Sequence, residues 1–144
     1  MSSCAIFGHS EYLYERDKDK IEKGLMDLIE CCGVTEFYLG MRGNFDVLCS
    51  VILQKLKKKY PKIRCIKVWA YMPQGGKGVD SRFDGSVYLL EKRVPPLYAI
   101  IETNKSMVRK ADYIFSGVVH DWGGAWTAVE YAKKQGKRVI EPLS

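Results

Sequence analysis

A glycine pair followed by polar residues at helical spacing lies near the C-terminus of the chain. Gly123 and Gly124 come after a β-rich apolar run, and an amphipathic helix pattern begins directly behind them. This order places backbone N–H groups and the positive end of a helix just beyond the carboxyl end of a strand, where phosphate groups bind. Thr127 and Glu130 are one helical turn apart and share a side of the helix. The pattern predicts a phosphate-binding turn, with Glu130 holding a ribose or assisting cleavage of a glycosidic bond.

Two tryptophans flank the glycine pair. Trp122 directly precedes Gly123, and Trp126 directly precedes Thr127. An indole ring stacks well on a nucleobase, although tryptophans serve as packing residues at least as often. Both rings are therefore candidates for base binding beside the glycines.

Two further loops follow predicted strands. Gly8, His9 and Ser10 end the first strand, and residues 40–46 follow the second. In an open α/β sheet such loops share one edge, so they surround a common crevice with residues 122–127 although they are far apart in sequence. This convergence predicts one ligand site at the carboxyl edge of the sheet.

The second loop carries its own candidate anion site. Arg42 supplies a planar cation for a phosphate or carboxylate, and the N–H groups around Gly43 and Asn44 are expected at a helix start. Gly40 would let the phosphate approach the backbone, and Asp46 would accept hydrogen bonds from ribose hydroxyls. The alternative is that Asn44 or Asp46 caps the helix and the glycines form a tight turn.

The composition limits the class of protein. The chain has 144 residues, of which 47% are hydrophobic and 28% charged, as is usual for a water-soluble domain with one core. No apolar run approaches the roughly 18 residues of a membrane span, and the N-terminus lacks the pattern of a secretory signal. We therefore expect a single domain over residues 1–144, located in the cytoplasm and without a membrane partner.

Charge and cysteine content argue against a nucleic-acid-binding protein and against a metalloprotein. The formal net charge of +6 would suit nucleic acid, but the basic runs 55–59 and 133–138 lie at predicted helix ends, where cations favour the helix dipole. They indicate solvated helix ends rather than a nucleic-acid surface, and the excess positive charge also suits an anionic small ligand. The five cysteines show neither C-x-x-C nor Cys/His spacing, so neither a metal site nor a cofactor is expected.

Short β-rich runs alternate with longer helical patterns, which indicates crossover units and a parallel sheet. We predict one α/β, Rossmann-like domain with a mostly parallel sheet of about five strands flanked by helices. The predicted strands are residues 4–7, 35–39, 64–71, 111–119 and 138–140, with a further short one at 86–90. The predicted helices contain residues 21–32, 47–56, 96–110 and 124–135, and residues 73–85 are predicted to form a surface loop. The second helix is expected to carry on its apolar side Val47, Leu48, Val51, Ile52 and Leu56.

The order of these segments resembles that of a known family. The glycine-rich turn 40–46 is followed later by Ala-Asp-Tyr-Ile at 111–114, Trp-Gly-Gly-Ala at 122–125 and Ala-Lys-Lys-Gln-Gly-Lys-Arg-Val-Ile at 132–140. Over nearly the whole chain this is similar to the SLOG superfamily, particularly its YpsA-like branch. The superfamily also holds the LOG phosphoribohydrolases and the DNA processing protein DprA. The resemblance implies a Rossmann-like fold that binds nucleotides or nucleotide-derived ligands, with the phosphate near the glycine turns.

The LOG enzymes carry the motif Pro-Gly-Gly-x-Gly-Thr-x-x-Glu. Its Gly-Gly, Thr and Glu match Gly123, Gly124, Thr127 and Glu130 here, while Trp122 and Trp126 replace its proline and its third glycine. The resemblance implies cleavage of the N-glycosidic bond of a nucleoside monophosphate by Glu130 together with an arginine, for which Arg42 is the candidate. The Trp126 ring would either block the phosphate or supply a stacking surface.

The sequence thus predicts, first, a sensor or binding module for a nucleotide or a nucleotide-derived, phosphoribosyl ligand. The alternative is a phosphoribohydrolase-like N-glycosidic hydrolase acting on a nucleoside 5′-monophosphate. A surface for single-stranded DNA is a third and weaker hypothesis. The apolar faces of the first two helices would support a homodimer or a higher homo-oligomer.

Overall fold

The computed structural model describes residues 2–71 and 82–144, which form a parallel β-sheet with helices on both faces. The strands are β1 (Ser2–Gly8), β2 (Val34–Leu39), β3 (Arg64–Trp69), β4 (Gly85–Tyr88), β5 (Tyr113–Gly117) and β6 (Arg138–Ile140). The helices are α1 (Lys18–Cys32), α2 (Asn44–Lys57), α3 (Pro96–Lys110) and α4 (Gly124–Lys134). This is the predicted Rossmann-like α/β class, with six strands in place of about five.

The strand order creates a crevice beside the central strand. The sheet runs β4-β3-β2-β1-β5-β6, and every neighbouring pair is parallel. The chain moves outward from β1 to β4, and α3 then carries it back across the sheet to β5 on the other side of β1. Loops that leave β1 and β5 therefore diverge, and ligands of open α/β sheets bind at such a switch point.

Two apolar layers hold the helices on the sheet. Ile21 of α1 and Phe37 of β2 belong to the cluster on one face, whereas Met107 of α3 and Ala128 of α4 belong to the cluster on the other. Residues 3–7 of β1 are all buried, as is expected of a strand that is covered on both faces.

The helix ends follow the predicted signals. α1 stops at Gly33, which has a φ of 67° and donates its N–H to the carbonyl of Leu28, a left-handed conformation that favours glycine. Gly136 follows α4 with a φ of 73°. Pro96 is the first residue of α3, where its fixed φ suits the helix and no N–H is needed. Both predicted stops and the predicted start are confirmed.

The buried face of α2 differs from the prediction. Ile52 and Leu56 are buried as predicted, but Val47 and Val51 are 44% and 52% exposed. Their places in the core are taken by the fully buried Phe45, Cys49 and Leu53. Both sets repeat at helical spacing, so periodicity alone does not decide between them. The helix is turned so that the Phe45 ring, the bulkiest side chain of its first turn, enters the core.

The third strand and the loop after it also differ from the prediction in where they begin and end. β3 ends at Trp69 rather than at residue 71, and β4 begins at Gly85. Residues 73–81 of the predicted surface loop lie outside the described residues. Asp84, just before β4, accepts the N–H of Cys65 at 2.8 Å and so aligns the short edge strand. In the part of the chain that the structure describes, no helix has the length and apolar character needed to cross a bilayer.

Candidate functional site

A cleft of about 370 Å³ opens at the carboxyl ends of β1, β2 and β5, between α3 and the start of α4. We call it the first cleft. It brings together most of the predicted ligand-binding residues: Gly8, His9, Ser10, Gly40, Arg42, Asp46, Trp122, Gly123 and Gly124. Asn104 and His120 also line it. The predicted convergence of three distant loops on one crevice is therefore observed.

The start of α2 is closed to a ligand, contrary to the prediction. The N–H of Asn44 donates to the carbonyl of Ser10 at 3.2 Å, and that of Phe45 donates to the carbonyl of His9 at 3.5 Å. Gly43 packs so tightly on Ser10 that an added Cβ would overlap its Cα. The first N–H groups of α2 thus serve to attach the β1–α1 loop. Neither Asn44 nor Asp46 caps the helix through its side chain, so the alternative capping role is not observed either.

The start of α4 is open. Gly123 has a φ of 96°, which favours glycine, and α4 begins directly after it. The carbonyl of Gly123 accepts both the N–H and the side-chain hydroxyl of Thr127 at 3.0 Å. The Thr127 hydroxyl is therefore bonded to the helix end. Among the described residues, no group accepts a hydrogen bond from the N–H of Gly124 or Ala125. These donors and the positive helix end face the first cleft as an anion site.

Arg42 is held in place beside these donors. Its guanidinium lies across Gly40, so closely that a Cβ there would be 2.8 Å from Nη2. Nη2 donates to Oδ1 of Asn104 at 2.6 Å, and Asn104 is buried on α3. The preceding Met41 adopts a φ of 56°, which is uncommon for a residue with a side chain and marks a sharply turned loop. Arg42 keeps further N–H donors for a bound anion.

Asp46 lies in the same cleft with an unusual carboxyl group. Its Oδ2 accepts the backbone N–H of Arg42 at 3.3 Å. Its Oδ1 is buried and finds no hydrogen-bond partner within the described parts of the chain. Burial raises the pKa of Asp46 to about 6, and the bond and charge of Arg42 offset only part of this rise. The carboxyl group therefore takes up a proton near neutral pH.

Three stacked rings form one wall of the first cleft. The His9 and His120 rings stack at 3.5 Å between centroids, and His120 stacks on Trp122 at 3.8 Å. Nε2 of His9 accepts the N–H of Val119 at 3.0 Å, so the neutral ring carries its proton on Nδ1. Burial and then the charge of His120 lower the pKa of His9. Trp122 ends the stack and is 62% exposed, which leaves one indole face free.

Tyr14 fixes the loop that carries His9. Its hydroxyl accepts the N–H of His9 at 2.9 Å and donates to the carbonyl of Gly117 at 2.6 Å. Burial raises the pKa of Tyr14 to about 12, so the hydroxyl remains a donor throughout the physiological range. The sequence carries no signal for this contact, because it joins two strand ends more than a hundred positions apart.

Gly8 has a packing role in addition to lining the cleft. Gly8 and Gly117 are paired in register at the ends of β1 and β5. A Cβ on either glycine would overlap the ring of Phe45, which is fully buried between them. The two glycines therefore form a notch that receives Phe45 and sets the position of α2.

Trp126 and Glu130 lie elsewhere, in a second cleft of about 480 Å³ beside α4 and the end of β6. Lys133 is 3.9 Å from an oxygen of Glu130 and 3.4 Å from one of Glu141. Contrary to the prediction, Glu130 does not share a cleft with the glycine pair or with Arg42. Trp126 and Glu130 lie on a side of α4 that does not line the first cleft. The two clefts share one residue of their walls, His120.

Metal ligands do not gather in either cleft. Within residues 2–71 and 82–144, there is no group of three or more His, Cys, Asp or Glu side chains that could hold a metal ion. The first cleft offers backbone N–H donors, a guanidinium, a protonatable carboxyl group and stacked rings.

Three solved structures are similar to this chain. DNA processing protein A from Streptococcus pneumoniae matches with a TM-score of 0.70 and 13% sequence identity, over 96% of this chain and 49% of that one. TM1055, a structural genomics target, matches with a TM-score of 0.62 and 16% identity, over 97% and 73% of the two chains. The Moco carrier protein from Chlamydomonas reinhardtii matches with a TM-score of 0.56 and 13% identity, over 96% and 74%.

The comparisons bear on the fold alone. No protein-family model and no curated protein matches the chain. The chain spans about half the length of DNA processing protein A, and all three identities are too low to transfer an activity. The matches confirm the Rossmann-like α/β fold that was predicted from the sequence.

Proposed function

We propose that the protein binds a nucleotide or a nucleotide-derived, phosphoribosyl ligand in the first cleft, as a sensor or binding module. One observation carries the proposal: an open helix start, a positioned arginine and an exposed ring stack converge at the switch point between β1 and β5. The helix start and the arginine suit the phosphate of a nucleotide, and the ring stack suits its base.

The phosphate would bind at the start of α4. The N–H groups of Gly124 and Ala125 supply donors, and Arg42 supplies a charge-assisted one. A helix start and a guanidinium both favour an anion, and the formal net charge of +6 attracts one from a distance. At the start of α2 the N–H groups of Asn44 and Phe45 already donate to Ser10 and His9, so we place the phosphate at the start of α4.

The base would stack on Trp122, whose ring is already held parallel to His120 and His9. A preformed stack lowers the entropy cost of ordering the indole on binding. Asp46 is the group available to a sugar hydroxyl in the same cleft. The names of two structural neighbours, one a DNA processing protein and one a Moco carrier protein, fit a fold used for nucleotides and for small ligands.

Gly124→Leu tests the phosphate site with little effect on the fold. An added Cβ at Gly124 meets nothing within 4 Å, and its φ is not positive. We expect the free energy of unfolding to change by no more than about 1 kcal/mol. The affinity for nucleoside monophosphates, measured by isothermal titration calorimetry, should fall at least about tenfold, equivalent to 1.4 kcal/mol.

Lys134→Leu is the matched control, because it adds the same side chain at the exposed far end of α4. It should leave nucleotide affinity unchanged. A folded Gly124→Leu protein that binds nucleotides as tightly as the wild type would exclude phosphate binding at this helix start.

A hydrolase acting on the N-glycosidic bond of a nucleoside monophosphate is the second candidate function. The observation that favours it is Asp46, a carboxyl group in the first cleft whose pKa is raised to about 6. A protonated carboxyl can donate to a leaving base, which is general acid catalysis. Glu130, the acid implied by the family resemblance, lines the second cleft instead.

The hydrolase is tested by chromatographic detection of free base after incubation with nucleoside monophosphates. Catalysis in the first cleft predicts that Asp46→Asn abolishes base release and that Glu130→Ala retains it. The rate should fall as the pH rises through about 6, because the acid loses its proton. Release that is lost in Glu130→Ala and kept in Asp46→Asn would assign the reaction to the second cleft. Absence of any free base would leave binding as the proposed function.

A further inference from the structure

We infer that the ligand has two nucleoside halves joined through phosphate, one half in the first cleft and the other in the second. The inference rests on the proposed function, because it takes the first cleft as a nucleotide site. It adds that the second cleft is part of the same binding surface and that it receives a nucleoside that carries no terminal phosphate.

The two clefts meet at the N-terminal end of α4. Gly123 and Gly124 line the first cleft, Trp126 lines the second, and His120 is a wall of both. A phosphate held by the first N–H groups of α4 therefore lies at the junction. A group attached to the far side of that phosphate would continue toward Trp126.

The second cleft has the size and chemistry for a nucleoside. Its volume of about 480 Å³ is within the roughly 300 to 1,000 Å³ of ordinary small-molecule sites. Trp126 supplies a partly exposed ring above the buried Val129, a surface on which a flat heterocycle stacks. Glu130 and Glu141 are each about two-fifths exposed, so their oxygens are accessible to sugar hydroxyls.

The position of the phosphate donors determines which half enters the second cleft. The second cleft is lined by three carboxylates, those of Asp121, Glu130 and Glu141, and by one lysine, Lys133. Lys133 is already near both glutamates. This negative balance disfavours a second terminal phosphate and favours a neutral or cationic heterocycle. The first cleft also carries two carboxyl groups, Glu11 and Asp46, but Arg42 and the open helix start lie in it, so it is the cleft with donors for a phosphate. The two clefts together thus fit a dinucleotide better than two separate mononucleotides.

The experiment compares matched ligands by isothermal titration calorimetry. Each common ribonucleoside 5′-monophosphate is measured beside the symmetric dinucleoside 5′,5′-diphosphate built from it. We expect the dinucleotide with the preferred base to bind at least about tenfold more tightly, since one stacked base contributes roughly 1 to 3 kcal/mol, or about 5-fold to 150-fold. Trp126→Ala should remove this gain and leave mononucleotide affinity unchanged. Trp126→Phe keeps a flat ring and should retain most of the gain.

The outcomes separate this inference from the proposed function. Equal affinity for mononucleotide and dinucleotide in the wild type, or a dinucleotide gain that survives in a folded Trp126→Ala protein, would overturn the two-part ligand while nucleotide binding stands. No binding of any mononucleotide or dinucleotide would overturn both. Calorimetric stoichiometry gives a further check, because two mononucleotides per chain would mean two independent sites.

Discussion

Gly8→Ala should destabilise the protein by about 3 kcal/mol or more, although it adds only one methyl group. The new Cβ would overlap the ring of Phe45, which is buried between Gly8 and Gly117 and has no free space beside it. Overpacking a well-filled core typically costs about 1 to 3 kcal/mol, and here the clash also displaces α2 from the sheet. Chemical denaturation followed by circular dichroism measures the loss of unfolding free energy.

Gly117→Ala should behave in the same way, because its Cβ would overlap the opposite edge of the Phe45 ring. Gly124→Ala is the control, since the same methyl group enters open space there. We expect the control to change stability by less than about 1 kcal/mol, in the stabilising direction that helix propensity favours. If Gly8→Ala were as stable as this control, the Phe45 ring would have to move aside without cost, and the notch would not position α2.

Asp46 should make the protein lose stability as the pH rises from about 4 to 7. The folded protein holds the Asp46 proton with a pKa of about 6, against 3.8 for the ordinary carboxyl group. Between these values the folded state binds more protons than the unfolded state, so the free energy of unfolding falls with rising pH. At about 1.4 kcal/mol for each unit of pKa, the whole shift is worth about 3 kcal/mol, of which about 2.4 kcal/mol is lost between pH 4 and pH 7.

Comparing Asp46→Asn with the wild type isolates this contribution, because His9 and the other titrating groups are common to both proteins. The stability of the variant relative to the wild type should rise by about 2.4 kcal/mol between pH 4 and 7. Asp27→Asn removes an exposed carboxylate that pairs with Lys23 and should show no such trend. A difference between Asp46→Asn and the wild type that stays constant across this range would mean that the Asp46 carboxyl ionises as it does in water.

The amino-acid sequence by itself determined the class of the fold and the edge of the sheet that carries the site. Alternating β-rich and helical patterns predicted the parallel sheet, because hydrophobic periodicity and crossover connections are local properties. Gly33, Pro96 and Gly136 predicted helix ends for the same reason. Loops after parallel strands share one edge whatever their side chains, so the meeting of residues 8–10, 40–46 and 122–124 followed from the order of the elements.

Only the tertiary structure decided which of the two glycine-containing helix starts is open. Both α2 and α4 begin after a glycine, and local sequence treats them alike. The N–H groups of Asn44 and Phe45 are taken by carbonyls of Ser10 and His9, whereas no carbonyl within residues 2–71 and 82–144 accepts the N–H of Gly124. The difference depends on how the β1–α1 loop folds back onto α2, and contacts between residues so far apart in sequence leave no local pattern.

The tertiary structure also decided how each helix is rotated about its axis. Helical spacing places Trp126 and Glu130 on one side of α4, but it does not say which neighbour that side meets; in the structure it meets the end of β6. In α2, the notch at Gly8 and Gly117 selects Phe45 as the buried residue and leaves Val47 exposed. Periodicity defines the apolar face of a helix, but packing against the rest of the molecule decides what that face contacts. The reason is that the free energy of burying a side chain depends on the shape of the surface that it packs against.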